Sequence, residues 1–174
     1  MISTDIGSYI KTQTALTPAV ITANAGNDNT ELNGIIVNRL LSGRGLALSA
    51  KLVISFVTSL TADKTLTITA NAQDGENPGL SDAADYAAIR ASYDMAAAAP
   101  PTVVTLSSGN FPATVVKTGA ASAAAGQVEI DFDLSKAKQY IRAQVTFDLS
   151  HSSTDTVAYS AVWVFGGYKD LPPT

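Results

Sequence analysis

The chain reads as an all-β protein: an antiparallel β-sandwich or jelly roll of about seven to nine strands, with an extended N-terminal arm and a C-terminal tail. Three observations predict this. Apolar and polar residues alternate with a period of two through most of the chain, the mark of half-buried strands. No long helical pattern alternates with those strands, which argues against a parallel α/β fold. The third is compositional: 46% of the 174 residues are hydrophobic but only 7% are aromatic, so the core must be built mainly from Val, Ile, Leu and Ala.

Taken in order, residues 1–15 show little periodicity and carry scattered apolar anchors (Ile2, Ile6, Tyr9 and Ile10), so they read as an arm. "NAGNDNTELNG" is rich in Asn and Asp and reads as a turn. "GIIVNRL" is a short, fully apolar strand candidate. "KLVISFVTSL" and "TLTITANA" pattern as a hairpin around "TADK", with Leu52, Ile54 and Phe56 on one strand and Leu66, Ile68 and Ala70 on the other. "QDGENPG" holds Asp-Gly and Asn-Pro turn signals. "SDAADYAAIRASYDMAAAA" (81–99) reads as a short helix, with Ser81 as N-cap, alanine-rich helix formers behind it, and Pro100 and Pro101 to end it.

"PPTVVTL" and "FPATVVK" add two strand candidates, and the low-complexity "GAASAAAG" reads as a flexible loop. In "QVEIDFDL", Val128, Ile130, Phe132 and Leu134 share the inward phase, against Glu129, Asp131 and Asp133 outward. "YIRAQVTFDL" places Ile141, Ala143, Val145, Phe147 and Leu149 on one face. After the polar turn "SHSSTDT", "VAYSAVWVF" aligns Val157, Tyr159, Ala161, Trp163 and Phe165, but Val162 and Val164 make its other face apolar as well. A strand apolar on both faces is either central in the domain or covered by a partner. A Gly-Gly hinge and a proline-capped tail (166–174) close a single domain spanning 1–174.

Charged residues make up only 15% of the chain, against roughly 25% in an ordinary soluble domain. Its surface must therefore be Thr, Ser, Asn, Ala and Gly, which is cheap to desolvate against other protein. The net charge of −4 and the lack of any Lys/Arg run argue against direct nucleic-acid binding. No cysteine is present, so disulfides, thiolate catalysis and Cys-ligated metals are excluded. No apolar run approaches the roughly 20 residues needed to span a bilayer, and the opening residues do not pattern as a secretory signal. The expectation is a soluble chain, complete from Met1 and not exported by the usual route.

Candidates for chemistry are few. His151, the only histidine, lies near Ser150, Ser152, Ser153, Asp148 and Asp155, but a short turn cannot easily converge a triad on one point, and no nucleophile elbow accompanies it. The expected role is a solvated turn. Glu129, Asp131 and Asp133 repeat at about 7 Å along one strand face, too far apart to share one ion without a neighbouring strand. They read as a solvated face or as an acidic strip meeting basic residues on a partner. Asn27, Asn29 and Glu31 lack the glycine and terminal Glu of a calcium loop. Gly43 and Gly45 around Arg44 do not form a phosphate cradle. Trp163, in phase with Val157 and Phe165, reads as core rather than as a sugar platform. No enzyme activity, cofactor or metal is expected.

The run "YIRAQVTFDLSHSSTDTVAYSAVWVFGGYKDLPPT" resembles the C-terminal end of small virion proteins of tailed bacteriophages. "TPAVITANAGNDNTELNGIIVNRL" resembles their opening, and "LTITANAQDGEN" the strand that follows. The similarity is concentrated in the last ~35 residues and departs at 81–101. What the resemblance implies is a head decoration or cement protein, assembled in the host cytoplasm and bound to the capsid exterior, where it bridges capsomers. Its partners would be the major capsid protein and itself, as a dimer or trimer, with no membrane or nucleic acid contacted directly. The ends would act as straps, so Ile2, Ile6, Tyr9, Ile10, Tyr168, Leu171 and Pro172 are the expected partner-binding residues. A neck, tail or head-fibre component and a glycan-binding sandwich are the alternatives.

Overall fold

The computed structural model describes residues 7, 9–41, 45–86, 90–94, 113–118, 123–150 and 154–168. Among these residues twelve strand segments form two antiparallel sheets that pack face to face. Sheet A has the order β1 (Lys11–Thr22), β12 (Thr156–Tyr168), β5 (Gly45–Ser59), β10 (Ala123–Asp133) and β8 (Arg90–Asp94), with β4 (Leu40–Leu41) paired to β5. Sheet B has the order β2 (Glu31–Asn33), β11 (Tyr140–Leu149), β6 (Thr65–Gly75) and β7 (Ala84–Tyr86). Within it β3 (Val37–Asn38) pairs with β11, and β9 (Ala113–Thr118) pairs with β6. The all-β expectation holds, and no α-helix occurs among the described residues.

The core lies where the period-two pattern puts it. Leu52, Ile54 and Phe56 of β5, Val128, Ile130 and Phe132 of β10, and Val157, Ala161, Trp163 and Phe165 of β12 meet Leu66, Ile68 and Ala70 of β6 and Ile141, Ala143, Val145 and Phe147 of β11. Rings span the layers: Phe147 of sheet B stacks on Tyr159 of sheet A with centroids 4.4 Å apart. Within sheet A, Trp163 lies edge-on to Phe132 at 5.3 Å and stacked with Phe165 at 5.8 Å. Trp163 is fully buried, as expected of a core residue.

The connections differ from expectation. "KLVISFVTSL" and "TLTITANA" do not form a hairpin, because β5 belongs to sheet A and β6 to sheet B. The same is true of β11 and β12 at the end of the chain. Each pair is an arch that carries the chain from one layer to the other. From β8 to β12 every strand lies in the layer opposite its predecessor, so the long pairings join segments distant in sequence. The first arch begins at buried Leu60, turns at Asp63 in the left-handed region (φ 64°), and is closed by the Lys64 N–H donating to the Thr61 carbonyl.

Other boundaries also shift. The expected helix 81–99 instead contributes β7 and β8, which pair with β6 and β10. Helix propensity is a weak prior, and sheet edges that need a partner override it. Residues 11–15 of the expected arm already belong to β1, and the expected tail starts late, since β12 runs through Tyr168. "GIIVNRL" yields only two-residue bridges, with Ile35 and Leu40 exposed and Arg39 buried. The second half of "GAASAAAG" is the start of β10, paired with β5. "PPTVVTL" lies outside the described residues.

Two buried ionisable side chains close the ends of the sandwich. Asp155 Oδ1 accepts hydrogen bonds from the Thr61 backbone N–H (2.9 Å) and hydroxyl (2.7 Å), while its carbonyl accepts from Ala23 N (2.9 Å). It thereby ties three chain crossings together. At the other end Arg39 donates from Nε to the Lys138 carbonyl (2.6 Å), from Nη1 to Ala47 and Leu134, and from Nη2 to Ala137. Along one side Gly34 joins the layers: its N–H donates to the Ala143 carbonyl, and the next N–H, of Ile35, donates to the Ala15 carbonyl of β1.

Candidate interaction face

The outer face of sheet A is small-chained and carries few charges. Strand register arranges it in rows across β1, β12, β5 and β10. One row is Val20, Ala158, Val57 and Ala125. The next holds Ser160, Ser55 and Gln127. Then come Thr14, Val162, Val53 and Glu129, followed by Thr12, Val164, Lys51 and Asp131. Val20 is 66% exposed, Val57 50% and Val162 38%, although all three sit on a sheet that would normally show water a polar side chain at these positions.

The charges of these rows satisfy one another. Lys51 Nζ lies 2.7 Å from Glu129 Oε2 and 2.9 Å from Asp131 Oδ1, and Gln127 Nε2 donates to Glu129 Oε1 at 2.8 Å. Burial pulls the Lys51 pKa down, but its hydrogen bonds to the two carboxylates outweigh that and raise it above the ordinary lysine value. The Glu129 pKa is lowered, chiefly by the hydrogen bond from Lys51. The acidic strip expected to meet a partner's basic residues therefore meets a lysine of its own sheet. Asp133 faces elsewhere in function: its Oδ1 accepts from Ser135 N (2.9 Å) and caps the following turn.

The outer face of sheet B is the opposite in kind. Gln144 is 6% exposed although it points outward, and it donates to Asn33 Oδ1 (3.0 Å) and Glu31 Oε1 (2.5 Å) while accepting from Asn71 Nδ2 (3.4 Å). Arg142 donates from Nε and Nη2 to Gln73 Oε1 (3.0 and 2.7 Å), and Gln73 Nε2 passes the ladder on to Asp85 (3.1 Å). Thr67, Thr69 and Thr146 continue the polar covering. This face spends its donors and acceptors on itself.

The residues singled out from sequence fall into place as follows. Ser150 Oγ accepts from Thr65 N (2.8 Å), Asp155 is committed to Thr61, and Asp148 lies on the outer side of sheet B. His151, Ser152 and Ser153 lie outside the described residues. Asn27 and Asn29 belong to a turn region whose anchor is Asp28, which accepts from Asn24 N (2.6 Å) and Leu149 N (3.0 Å), while Glu31 opens β2 and accepts from Gln144. Asn24, Gly26 and Asn29 there adopt left-handed backbone, as turns require. Gly45 opens β5, while Gly43 and Arg44 lie outside the described residues. Among the described residues no group of three or more His, Cys, Asp or Glu side chains is placed to hold a metal, and no helix is long and apolar enough to cross a membrane.

Of the expected partner-binding residues, Ile2, Ile6, Leu171 and Pro172 lie outside the described residues. Tyr168 is a correction: it is 9% exposed and belongs to the core cluster, paired in register with Ala47, so its side chain is not presented to a partner. Tyr9 is half-buried. Ile10 is exposed and borders a shallow groove with Ser49, Lys51, Asp131 and Val164, at one end of the sheet A face. The sequence reading missed Val20 and Val57 as surface residues. The signal for Val57 was the one noted for Val162: an apolar residue in the outward phase of a strand.

No family model matches the chain, and no curated protein matches it in sequence. Among solved structures it is similar to the VP2 subviral particle of infectious bursal disease virus, at 9% identity and a TM-score of 0.29 over 92% of this chain and 42% of that one. A second likeness, to infectious bursal disease virus strain Gt, has 13% identity and a TM-score of 0.26 over 90% of this chain and 41% of that one. The chain thus spans about two fifths of the length of these structures. Superpositions this partial give no basis for assigning a role.

Proposed function

We propose that the chain is a structural virion protein: a capsid cement or decoration protein that binds the outside of a phage head and stabilises contacts between capsomers. Its partners on this reading are the major capsid protein and further copies of itself. The observation that carries the reading is the sheet A face, small-chained and with its few charges paired within the sheet, on a sandwich whose other face carries a ladder of side-chain hydrogen bonds. A protein that works by contact area needs such a face and needs no cleft. The resemblance of the C-terminal run to small tailed-phage virion proteins supports the same reading. Multivalent attachment to a shell turns modest contacts into firm ones through effective concentration, and a terminal strap that adds to a neighbour's sheet edge gains main-chain hydrogen bonds without special side chains.

The test is to mix purified protein with undecorated capsids, pellet the particles and count bound copies. Saturation at a copy number matching icosahedral symmetry is the expected result. A folded protein that stays in the supernatant rejects the cement reading in favour of a neck, tail or glycan-binding role. The straps are tested by removing residues 1–8 and 169–174, which spares Tyr168. Unchanged occupancy and salt resistance of the trimmed protein on capsids would sink the strap idea.

A further inference from the structure

We propose that the outer face of sheet A is an isologous interface: a second copy of this chain stacks on it, sheet against sheet, about a two-fold axis that runs parallel to the strands between β12 and β5. The inference builds on the reading of the chain as an association protein and names the first partner of that face.

Two arguments commit the face to a second copy. The first is the pattern that register imposes. A two-fold along the strands lays β12 over the partner's β5 and β1 over the partner's β10, row upon row. Val162 then meets Val53 of the other copy, Val57 meets Ala158, and the widely exposed Val20 meets Ala125. The Thr14 row position meets Glu129, so a hydroxyl rather than a second carboxylate stands opposite that charge. A two-fold in the same plane but across the strands, centred on the Val162 row, instead sets Glu129 against its own copy, and like charges facing one another are penalised. Under the first operator the valine and alanine rows oppose apolar to apolar and the threonines of β1 oppose carboxylates, while Val164 stands against Lys51 of the other copy, whose Nζ stays with its own two carboxylates. This is the self-complementarity that a closed dimer requires.

The second argument is area. Four strands about 4.8 Å apart, over the 11 residues of β10 at about 3.3 Å each, present roughly 700 Å² per copy. A standard stable interface buries about 800 Å² per partner, so this face alone is close to that size. The small side chains let the two sheets approach to the ~10 Å of ordinary face-to-face packing. The charges that enter are already paired within each copy through Lys51, which limits the desolvation cost.

Sedimentation equilibrium of the full chain over a concentration series tests this directly. A reversible dimer whose affinity changes little with added salt is expected, because the contact is mainly apolar. The Val57→Asp, Val162→Asp double variant should associate roughly a hundredfold more weakly, since it brings four unpaired carboxylates into one contact, with an unchanged far-UV spectrum. If that variant does not fold, crosslinking decides. The chain has no cysteine, so Val20→Cys and Ala125→Cys chains can be mixed and treated with a short bis-maleimide. Mixed 20–125 products should exceed either self-product, the separations being about 10 Å against about 17 Å. A monomer at all concentrations, or self-products in excess, overturns the interface. Monomeric protein that loses capsid binding through the valine changes assigns the face to the shell instead, and also overturns it. A dimer that ignores capsids leaves the interface standing and removes only the cement reading.

Discussion

The two outer faces of the sandwich are made by antiparallel strands of one chain, yet they solve opposite problems. Sheet B closes its surface with side chains that bond to one another: Gln144 alone is tied to Glu31, Asn33 and Asn71, and is buried as a result. Sheet A closes nothing. Its outward positions carry valine, alanine and serine, and its only dense polar feature in the rows described is the Lys51 cluster. The difference teaches where stability and association reside. Substitutions on the outside of sheet B should weaken the fold, whereas those on the outside of sheet A should leave the fold intact and change what it adheres to.

The largest expected effect lies at the seam between the two sheets. A Cβ on Gly34 would stand 2.5 Å from the Ala15 carbonyl and 2.8 Å from the Ala143 carbonyl, both of them backbone. Gly34→Ala therefore forces β1 away from β11 and should cost about 2–4 kcal/mol in urea unfolding. A variant within experimental error of the parent would mean the seam is not needed to hold the layers in their present relation. Next comes the contrast itself. Gln144→Leu strands the groups that Gln144 satisfies and should cost about 2 kcal/mol, while Val162→Thr on sheet A should stay within about 0.5 kcal/mol. Equal costs at the two positions would erase the distinction between the faces.

The same contrast explains what could be read from the chain beforehand. Inward residues of β10, β11 and β12 were legible because a strand buried on one side must alternate, and Val128 to Phe165 obey that rule. The layer of each strand was not legible, because a hairpin and an arch impose the same alternation on the strands they join. Only the connection distinguishes them, and the cue in "LTADK" is slight: Leu60 remains apolar where a hairpin turn would be polar, because the chain is still crossing the core edge. The alanines after Ser81 misled for another reason. They favour helix by local propensity, but β6 and β10 offered open edges, and pairing decided the outcome. The sheet A face was half legible, through the break in alternation at Val162 and Val164. What joined those residues to Val20 and Val57 was register across strands far apart in sequence.

Such a topology also predicts slow folding. From β5 onward consecutive long strands lie in different layers, and β1 pairs with the last strand, so few native pairings can form before distant segments meet. Stopped-flow refolding should show a main phase in the range of milliseconds to seconds. A microsecond phase carrying the full amplitude would mean that local structure, rather than the arches, organises the chain.

The smallest effect concerns the one charged cluster on sheet A, and its sign follows from the directions of the two shifts. The folded-state pKa of Glu129 is depressed, so its contribution is present above the ordinary glutamate value and is lost as pH falls through the lower, folded value. That of Lys51 is raised, so its contribution is present below the ordinary lysine value and is lost as pH rises through the higher one. The pair therefore helps most across the neutral range and fades toward both extremes. Both side chains are about a third exposed (33% and 30%), and solvent screening holds the gain below about 1 kcal/mol. Lys51→Met, compared with the parent in dilute urea titrations across pH, should be slightly less stable near neutrality. That gap should narrow below the normal glutamate range and shrink in high salt. A gap that is large, or independent of pH, would show that Lys51 supports the fold in the way the sheet B ladder does, and the two faces would be less different than their residues make them.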